Sequence, residues 1–434
     1  MSVSLSGLTL IKAGGPVLAD TARSASPLPP MSSLWSRYTA APHRAMFLPG
    51  AIYGIVAMAW WAFELEVRAV GAAGLVPPGA APAALHMWSL LYGFFPFFVF
   101  GFLFTAVPNW LGAPAIGRRA YLFPALALAG GVGLVYAGLL WSYLLPIGLM
   151  LHLAGWFVAC AALIGTLRRA PPQDTRHAAV ATLAVALGGL GALAFLVGWI
   201  GGAARALDVA HSLALWGFLT PLFLVVCHRM VPWFTARVVA NYVMIRPWLP
   251  LWLALVAALG HGVLQSLDRA EWAWPLDLAL ALIVFWFAAR WGVARGIGQV
   301  RLLAMLHIAV LWAGVAFALY AADGLAAFLA SGWRAGLAPL HALAIGFFST
   351  MLVAMASRVS LGHSGRKLEA DGLTWSLFWL VQISALTRML PELVPGVSAT
   401  FTRLAGYAWL LAFAAWAWRY APMYWRARVD GKPG

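Results

Sequence analysis

Residues 85–107 read LHMWSLLYGFFPFFVFGFLFTAV, a stretch of 23 residues that contains no Asp, Glu, Lys or Arg. A helix of about 20 apolar residues is long enough to cross the hydrocarbon core of a bilayer. The stretch therefore predicts a transmembrane helix, and apolar runs of similar length recur along the 434-residue chain.

The composition of the whole chain agrees with this prediction. Hydrophobic residues make up 63% and charged residues only 9%, whereas soluble domains carry roughly 25% charged residues. These values exclude a soluble cytosolic enzyme, a nucleic-acid-binding domain and a disordered protein, and they predict a lipid bilayer as the main partner. The net charge of +15 comes from basic residues scattered between apolar runs, not clustered on one face. Cys160 and Cys227 are too few for a disulfide framework or a structural zinc site.

Short polar breaks divide the apolar sequence into about twelve predicted spans. The fold class is therefore all-α, a polytopic membrane protein with a twelve-span domain over residues 46–421. A mobile cytoplasmic tail is predicted over 1–45 and a second cytoplasmic tail over 422–434. The predicted spans are 46–67, 85–107, 121–141, 144–166, 178–199, 208–229, 248–266, 274–294, 302–322, 338–357, 373–391 and 401–421.

The distribution of basic residues predicts the orientation of these spans. Fourteen Lys or Arg residues follow even-numbered spans, and six follow odd-numbered spans. Because cytoplasmic loops carry the excess of positive charge, both termini are predicted to lie in the cytoplasm.

Four histidines share one predicted layer near the outer face. His86, His211 and His341 lie near the outer starts of spans two, six and ten, and His261 lies about 5 residues, or roughly 7–8 Å, from the outer end of span seven. Imidazoles from separate helices suit haem or copper. The alternative is that each histidine only forms hydrogen bonds between helices.

The remaining histidines are expected elsewhere. His228, His307 and His363 form a second set near the predicted inner face, and His152 lies in the middle of span four. Histidines 43 and 177 fall in cytoplasmic segments, where a polar side chain needs no special explanation.

Three motifs stand at span ends: GFLFTAVPNW at 101–110, HRMVPWFTA at 228–236, and a segment that begins HALAIG at 341 and ends SRVSLGHSGR at 366. Pro108 is expected to end its helix, and Asn109 to satisfy carbonyls freed there. In this order, the motifs resemble those of the NnrS family, and the resemblance extends from about Met46 to the C-terminus.

The resemblance implies a bacterial inner-membrane protein that binds haem and copper and is linked to nitric oxide metabolism and nitrosative stress. His86, His341 and His363 fall on the histidine-bearing motifs of the family. The chain departs from the family at Trp88 and Ser89, where many members carry a second His and a Glu. Haem b is the expected cofactor because no CxxCH motif occurs, whereas copper is left open.

With this resemblance, His86 and His341 are the favoured haem ligands, and His211 and His261 are candidates for copper or a second haem. Arg205 and Arg334, on the same predicted face, are candidates to pair with haem propionates. A second, inner site would draw on a further set: Arg358, Arg366, His363, His228 and His307.

Three functions stay open at this point. The first is a haem protein that binds or reduces nitric oxide, with an electron donor in the membrane or periplasm. The second is a transporter of metal or small molecules, and the third is an assembly factor that lends haem or copper to a reductase. Haem–copper oxidases and nitric oxide reductases also take ligands from spans two, six, seven and ten, which is an analogy at the level of fold only.

Overall fold

The computed structural model describes residues 33–77 and 81–431, and these residues form helices without any strand. Twelve long helices lie in the described part of the chain. They are α1 Pro42–Ala69, α2 Pro82–Leu111, α3 Arg118–Ala137, α4 Leu144–Arg168, α5 Arg176–Gly201, α6 Ala204–Ala236, α7 Trp248–Ser266, α8 Trp274–Arg290, α9 Arg301–Phe328, α10 Ala338–His363, α11 Gly372–Leu393 and α12 Thr400–Tyr420. Short helical segments occupy Leu34–Tyr38, Ala270–Trp272, Val293–Gly296 and Ala421–Tyr424.

Nine of the helices in the described ranges are long and apolar enough to cross a membrane. These nine are α1–α7, α9 and α10. Helix α8 has only 17 residues, and α8, α11 and α12 do not belong to this set. The prediction of an all-helical membrane protein is therefore confirmed, while twelve spans and their orientation stay predictions.

Several helix boundaries differ from the predicted ones, and two of the differences lie at prolines. Pro108 lies inside α2, which continues to Leu111, so the expectation that this proline ends the helix is wrong. Span six was likewise predicted to end at 229, but α6 continues past Pro232 to Ala236. In membrane helices, neighbouring helices and hydroxyl or amide side chains satisfy the freed backbone groups. Asn109 Nδ2 donates to the Thr105 carbonyl at 2.9 Å, whereas the carbonyl that Pro108 leaves free is that of Phe104, four residues earlier. The role predicted for Asn109 is therefore not confirmed.

At its N-terminal end the bundle begins slightly before the predicted border. Residues 1–32 of the predicted tail lie outside the described residues. The next residues include a short helix, Leu34–Tyr38, and the start of α1 at Pro42, where Arg44 is already buried.

Helices α2, α6 and α10 form the centre of the bundle. Their apolar windows are 83%, 78% and 78% buried, whereas the other six spanning helices range from 39% to 67%. Three phenylalanines, one from each central helix, meet near the axis. The ring centroids of Phe95 and Phe223 are 6.2 Å apart, those of Phe95 and Phe348 are 6.0 Å apart, and those of Phe223 and Phe348 are 4.8 Å apart. We call these three rings the aromatic triad.

Each central helix also contains a π-helical segment close to a histidine. The segments are Ser89–Phe94 in α2, Leu213–Leu219 in α6 and Ala342–Ser349 in α10. Each begins within three residues after His86, His211 or His341. π-Helical turns are rare and occur frequently at functional sites. Hydrophobic periodicity gave no sign of them.

The π segment of α2 explains the histidine in the middle of α4. Pro96 lacks an N–H and so cannot donate to the carbonyl of Tyr92, four residues earlier. His152 Nε2 lies 3.0 Å from this oxygen and donates to it in the corresponding tautomer. His152 therefore stabilises the interface between α2 and α4.

Candidate histidine cavity

A cavity lies on the predicted outer side of the central helices, and we call it the histidine cavity. Its volume is about 430 Å³, which falls within the range of small-molecule sites. His86, His211 and His341 all line it, so three of the four histidines of the predicted outer layer share one space. Most of the remaining lining is apolar and comes from α1, α2, α6, α10, α11 and α12.

His86 is held by stacking and has an unsatisfied nitrogen. Its ring lies 3.9 Å from that of Trp61 at an interplanar angle of 10°. Its Nδ1 atom is buried and has no hydrogen-bond partner. Trp61 thus fixes the plane of an imidazole whose Nδ1 atom makes no hydrogen bond with the described residues.

His341 is fixed by a backbone hydrogen bond. Its Nδ1 lies 2.9 Å from the Leu337 carbonyl, and because a carbonyl only accepts, Nδ1 carries the proton. In the neutral imidazole, Nε2 then has the free lone pair that a metal ion requires.

His211 and two charged residues complete the polar part of the cavity. The ring of His211 makes no hydrogen bond with the described residues. Asp208, one helical turn earlier, is exposed and marks an opening of the cavity. Arg388 of α11 also lines the cavity, and its Nη1 donates to Glu392 at 2.8 Å.

His261 lies outside the histidine cavity. Its Nδ1 is 2.7 Å from Asp277 Oδ1 of α8, and both side chains are buried. Its ring stacks on Trp216 with centroids 3.7 Å apart. His261 therefore does not share a cavity with the other three histidines, although its predicted depth is similar.

The two arginines predicted to pair with propionates also lie outside the cavity lining. Arg205 pairs with Asp268 at 2.6 Å, and Arg334 pairs with Asp323 at 2.8 Å. Both arginines are mostly exposed, so each carboxylate neutralises its arginine near the ends of the helices.

The histidines of the predicted inner set contact different partners. His228 Nε2 donates to the Pro247 carbonyl at 3.0 Å, and its Nδ1 lies 3.0 Å from His177 Nε2. His307 Nε2 is 3.1 Å from the Thr235 hydroxyl.

The three remaining predicted inner residues also have separate neighbours. His363 lies beside His43, with ring centroids 4.4 Å apart, and Arg358 lies over the ring of Phe234 at 3.9 Å. Arg366 has one buried nitrogen, Nη1, without a hydrogen-bond partner. In residues 33–77 and 81–431, no group of three or more His, Cys, Asp or Glu side chains has the arrangement of a metal site.

The residues that replace the family's second His and Glu face away from the cavity. Trp88 packs on His152, with centroids 5.3 Å apart, and Ser89 accepts a hydrogen bond from Tyr136 at 3.3 Å. Neither lines the histidine cavity.

Sequence analysis did not identify Trp61, Asp208 and Arg388 as lining residues. The signal for Arg388 was present, because a charged residue within an apolar helix usually has a partner or a function. The stacking of Trp61 on His86 had no signal in the sequence, since tryptophans are common in such helices.

The bundle and its cavity define a polytopic α-helical membrane protein with a histidine-lined site among its central helices. The family model described as NnrS protein matches residues 37–428, nearly the whole chain. The chain therefore belongs to the NnrS family. No match was found among curated proteins.

Proposed function

We propose that the protein binds haem in the histidine cavity through His86 and His341, and that nitric oxide would bind the iron in place of one of these two imidazoles. The observation that carries this proposal is that both histidines line one largely apolar cavity, and that each has a ring nitrogen for which the described residues supply no hydrogen-bond partner. Membership of the NnrS family supports the link to nitric oxide.

The residues of the cavity fit a haem group. Imidazole is a common axial ligand of haem iron, and the apolar walls suit a porphyrin face. Arg388 is a cation inside the cavity and could pair with a propionate carboxylate. When bound, haem iron supplies a centre that binds diatomic gases.

The protein's own contribution is orientation and exclusion of water. The stack with Trp61 sets the plane of His86, and the Leu337 carbonyl sets the tautomer of His341. A copper ion would have to draw on His211, because neither Trp88 nor Ser89 offers a ligand in the cavity. We therefore propose haem as the principal cofactor and leave copper to metal analysis.

We also propose that all twelve long helices cross a bacterial inner membrane with both termini in the cytoplasm. The excess of basic residues after even-numbered helices supports this orientation. Helices α8, α11 and α12 pack against spanning neighbours, α8 against α9 and α12 against α1, which supports their insertion.

The decisive experiment is a dithionite-reduced minus oxidised spectrum with iron analysis, made on the wild type, His86→Gly and His341→Gly. We expect each variant to lose the b-type bands and to regain them with added imidazole, which fits a cavity of this size. His307→Ala, at the predicted inner face, is the matched control and should keep the bands.

A shift of the bands on addition of nitric oxide would support gas binding. A colourless wild type without iron would contradict the proposal, and metal uptake into vesicles by that protein would favour the transporter. If the wild type binds haem but neither glycine variant loses it, the ligands are other residues.

A further inference from the structure

A second cavity lies deeper in the bundle, on the other side of the aromatic triad. We call it the inner chamber. It has a volume of about 70 Å³, and no polar surface lines it. Its walls come from α1, α2, α6 and α10 and include Phe98, Leu222, Met351 and Ala356, all at most 4% exposed.

The chemistry of these walls decides what the chamber can hold. A buried water needs two to four polar partners, and the chamber offers none. Apolar cavities in proteins stay dry and bind apolar guests such as xenon. A volume of about 70 Å³ is several times the roughly 10–15 Å³ that one water-sized molecule requires. A small apolar gas molecule therefore fits this space, and water does not.

One residue connects the inner chamber with the histidine cavity. Among the residues that the structure describes, Phe95 alone lines both cavities. Its ring packs edge-on against Phe223 and Phe348, at interplanar angles of 90° and 80°. The ring of Phe95 thus forms the partition between an apolar chamber and a histidine-lined cavity.

The opposite side of the chamber is less tightly covered. Phe102, Val226, Met355 and Val359 line it and are only partly buried. They lie on the C-terminal halves of α2, α6 and α10, and they are all apolar. A gas that favours the bilayer interior over water meets no polar barrier there.

We propose that the inner chamber binds a small apolar gas molecule and supplies it to the histidine cavity past Phe95. The binding part stands on the chamber alone. The supply part rests on the proposed function, in which nitric oxide is the gas and haem is its target.

Xenon is the probe for the binding part. Crystals of the full chain pressurised with xenon should show an anomalous scattering peak in the chamber. The filling variant Ala356→Leu should lose the peak, and the enlarging variant Leu222→Ala should raise its occupancy. Ala161→Leu is the matched control, because Ala161 is exposed on α4 and lines neither cavity.

Two results would overturn the binding part. One is the absence of xenon from the wild-type chamber, and the other is density for an acyl or detergent chain there instead. Neither result depends on haem, so failure of the proposed function would leave this test unchanged. If Ala356→Leu does not fold, Leu222→Ala still tests the binding part, because it should raise the xenon occupancy above that of the wild type.

The supply part is tested by the rate of nitric oxide association after flash photolysis of the haem-loaded protein. Ala356→Leu should bind nitric oxide more slowly than Ala161→Leu, with the equilibrium spectrum unchanged. Equal rates in both variants, together with loss of xenon from the filled chamber, would show that the chamber is not the supply route.

Discussion

The histidine cavity and the pair formed by His261 and Asp277 are two regions with the same type of residue at a similar predicted depth. In the cavity, His86 has a buried nitrogen without a partner, and His211 makes no hydrogen bond with described residues. In the pair, His261 binds Asp277 at 2.7 Å and stacks on Trp216. Depth therefore does not distinguish a ligand-binding histidine from one that joins two helices.

The difference between the two regions is one of hydrogen-bond satisfaction. A buried polar group without a partner costs about 1–3 kcal/mol. At His261 this cost does not arise, because the Asp277 carboxylate lies 2.7 Å from Nδ1. At His86 the cost remains, because the described residues supply no partner for the buried Nδ1. The comparison therefore predicts that substitutions in the two regions lower the free energy of unfolding by different amounts.

The largest expected effect on stability is that of Asp277→Ala. Removal of Asp277 leaves the buried Nδ1 of His261 without its hydrogen-bond partner, which costs up to about 3 kcal/mol. We expect this loss in the free energy of unfolding, measured by denaturant titration in mixed micelles. The control is Asp268→Ala, which breaks an exposed pair with Arg205 and should cost no more than about 1 kcal/mol. Equal losses in the two variants would mean that the buried pair has no special role.

The next effect is that of His177→Ala, which tests the histidine pair near the inner face. His228 Nε2 donates to the Pro247 carbonyl, so its Nδ1 must accept, and His177 is the donor. Its removal leaves a buried acceptor unsatisfied and should cost about 1–3 kcal/mol. His177→Asn, which retains a donor, should recover part of this loss in the same unfolding assay.

A smaller effect on stability is expected for His211→Ala in the histidine cavity. Removal of this ring breaks no hydrogen bond with the described residues, so the free energy of unfolding should fall by less than about 1 kcal/mol. The comparison variant is His152→Ala, which removes the donor to the Tyr92 carbonyl and should cost about 1–3 kcal/mol. If His211→Ala destabilises the ligand-free protein as much as His152→Ala, the proposed contrast between the two kinds of histidine fails.

The sequence was sufficient for the membrane class and for the positions of the long helices, because an apolar run of about 20 residues has few alternatives. It also placed His86, His211 and His341 near the starts of three helices, and these histidines share a cavity. The reason is that α2, α6 and α10 run in the same direction and meet at the centre of the bundle.

The sequence was not sufficient where the outcome depends on contacts between helices. Nothing in the order of residues shows that Asp277 reaches His261 or that His43 meets His363. The π-helical segments were also invisible, since one extra residue per turn barely changes the spacing of apolar side chains. Pro108 and Pro232 misled the prediction of helix ends because packing in the bundle compensates for the missing hydrogen bonds.

The smallest expected effect is that of Asp174→Asn, in the loop before α5. Asp174 pairs with Arg176 near the surface, whereas Asp277 pairs with His261 inside the bundle. Hydrogen bonds from the Arg176 side chain lower the pKa of Asp174 from 3.8 to about 2. A lowered pKa stabilises the folded state above about pH 4, and this contribution is lost as the pH falls toward 2. Both side chains are about half exposed, so Asp174→Asn should cost less than about 1 kcal/mol at pH 7. Unfolding measured between pH 7 and pH 2 should show this small difference from the wild type decline to zero. If the difference in the free energy of unfolding grew as the pH fell, the pKa of Asp174 would not be lowered in the folded state, and the predicted role of the pair would be wrong.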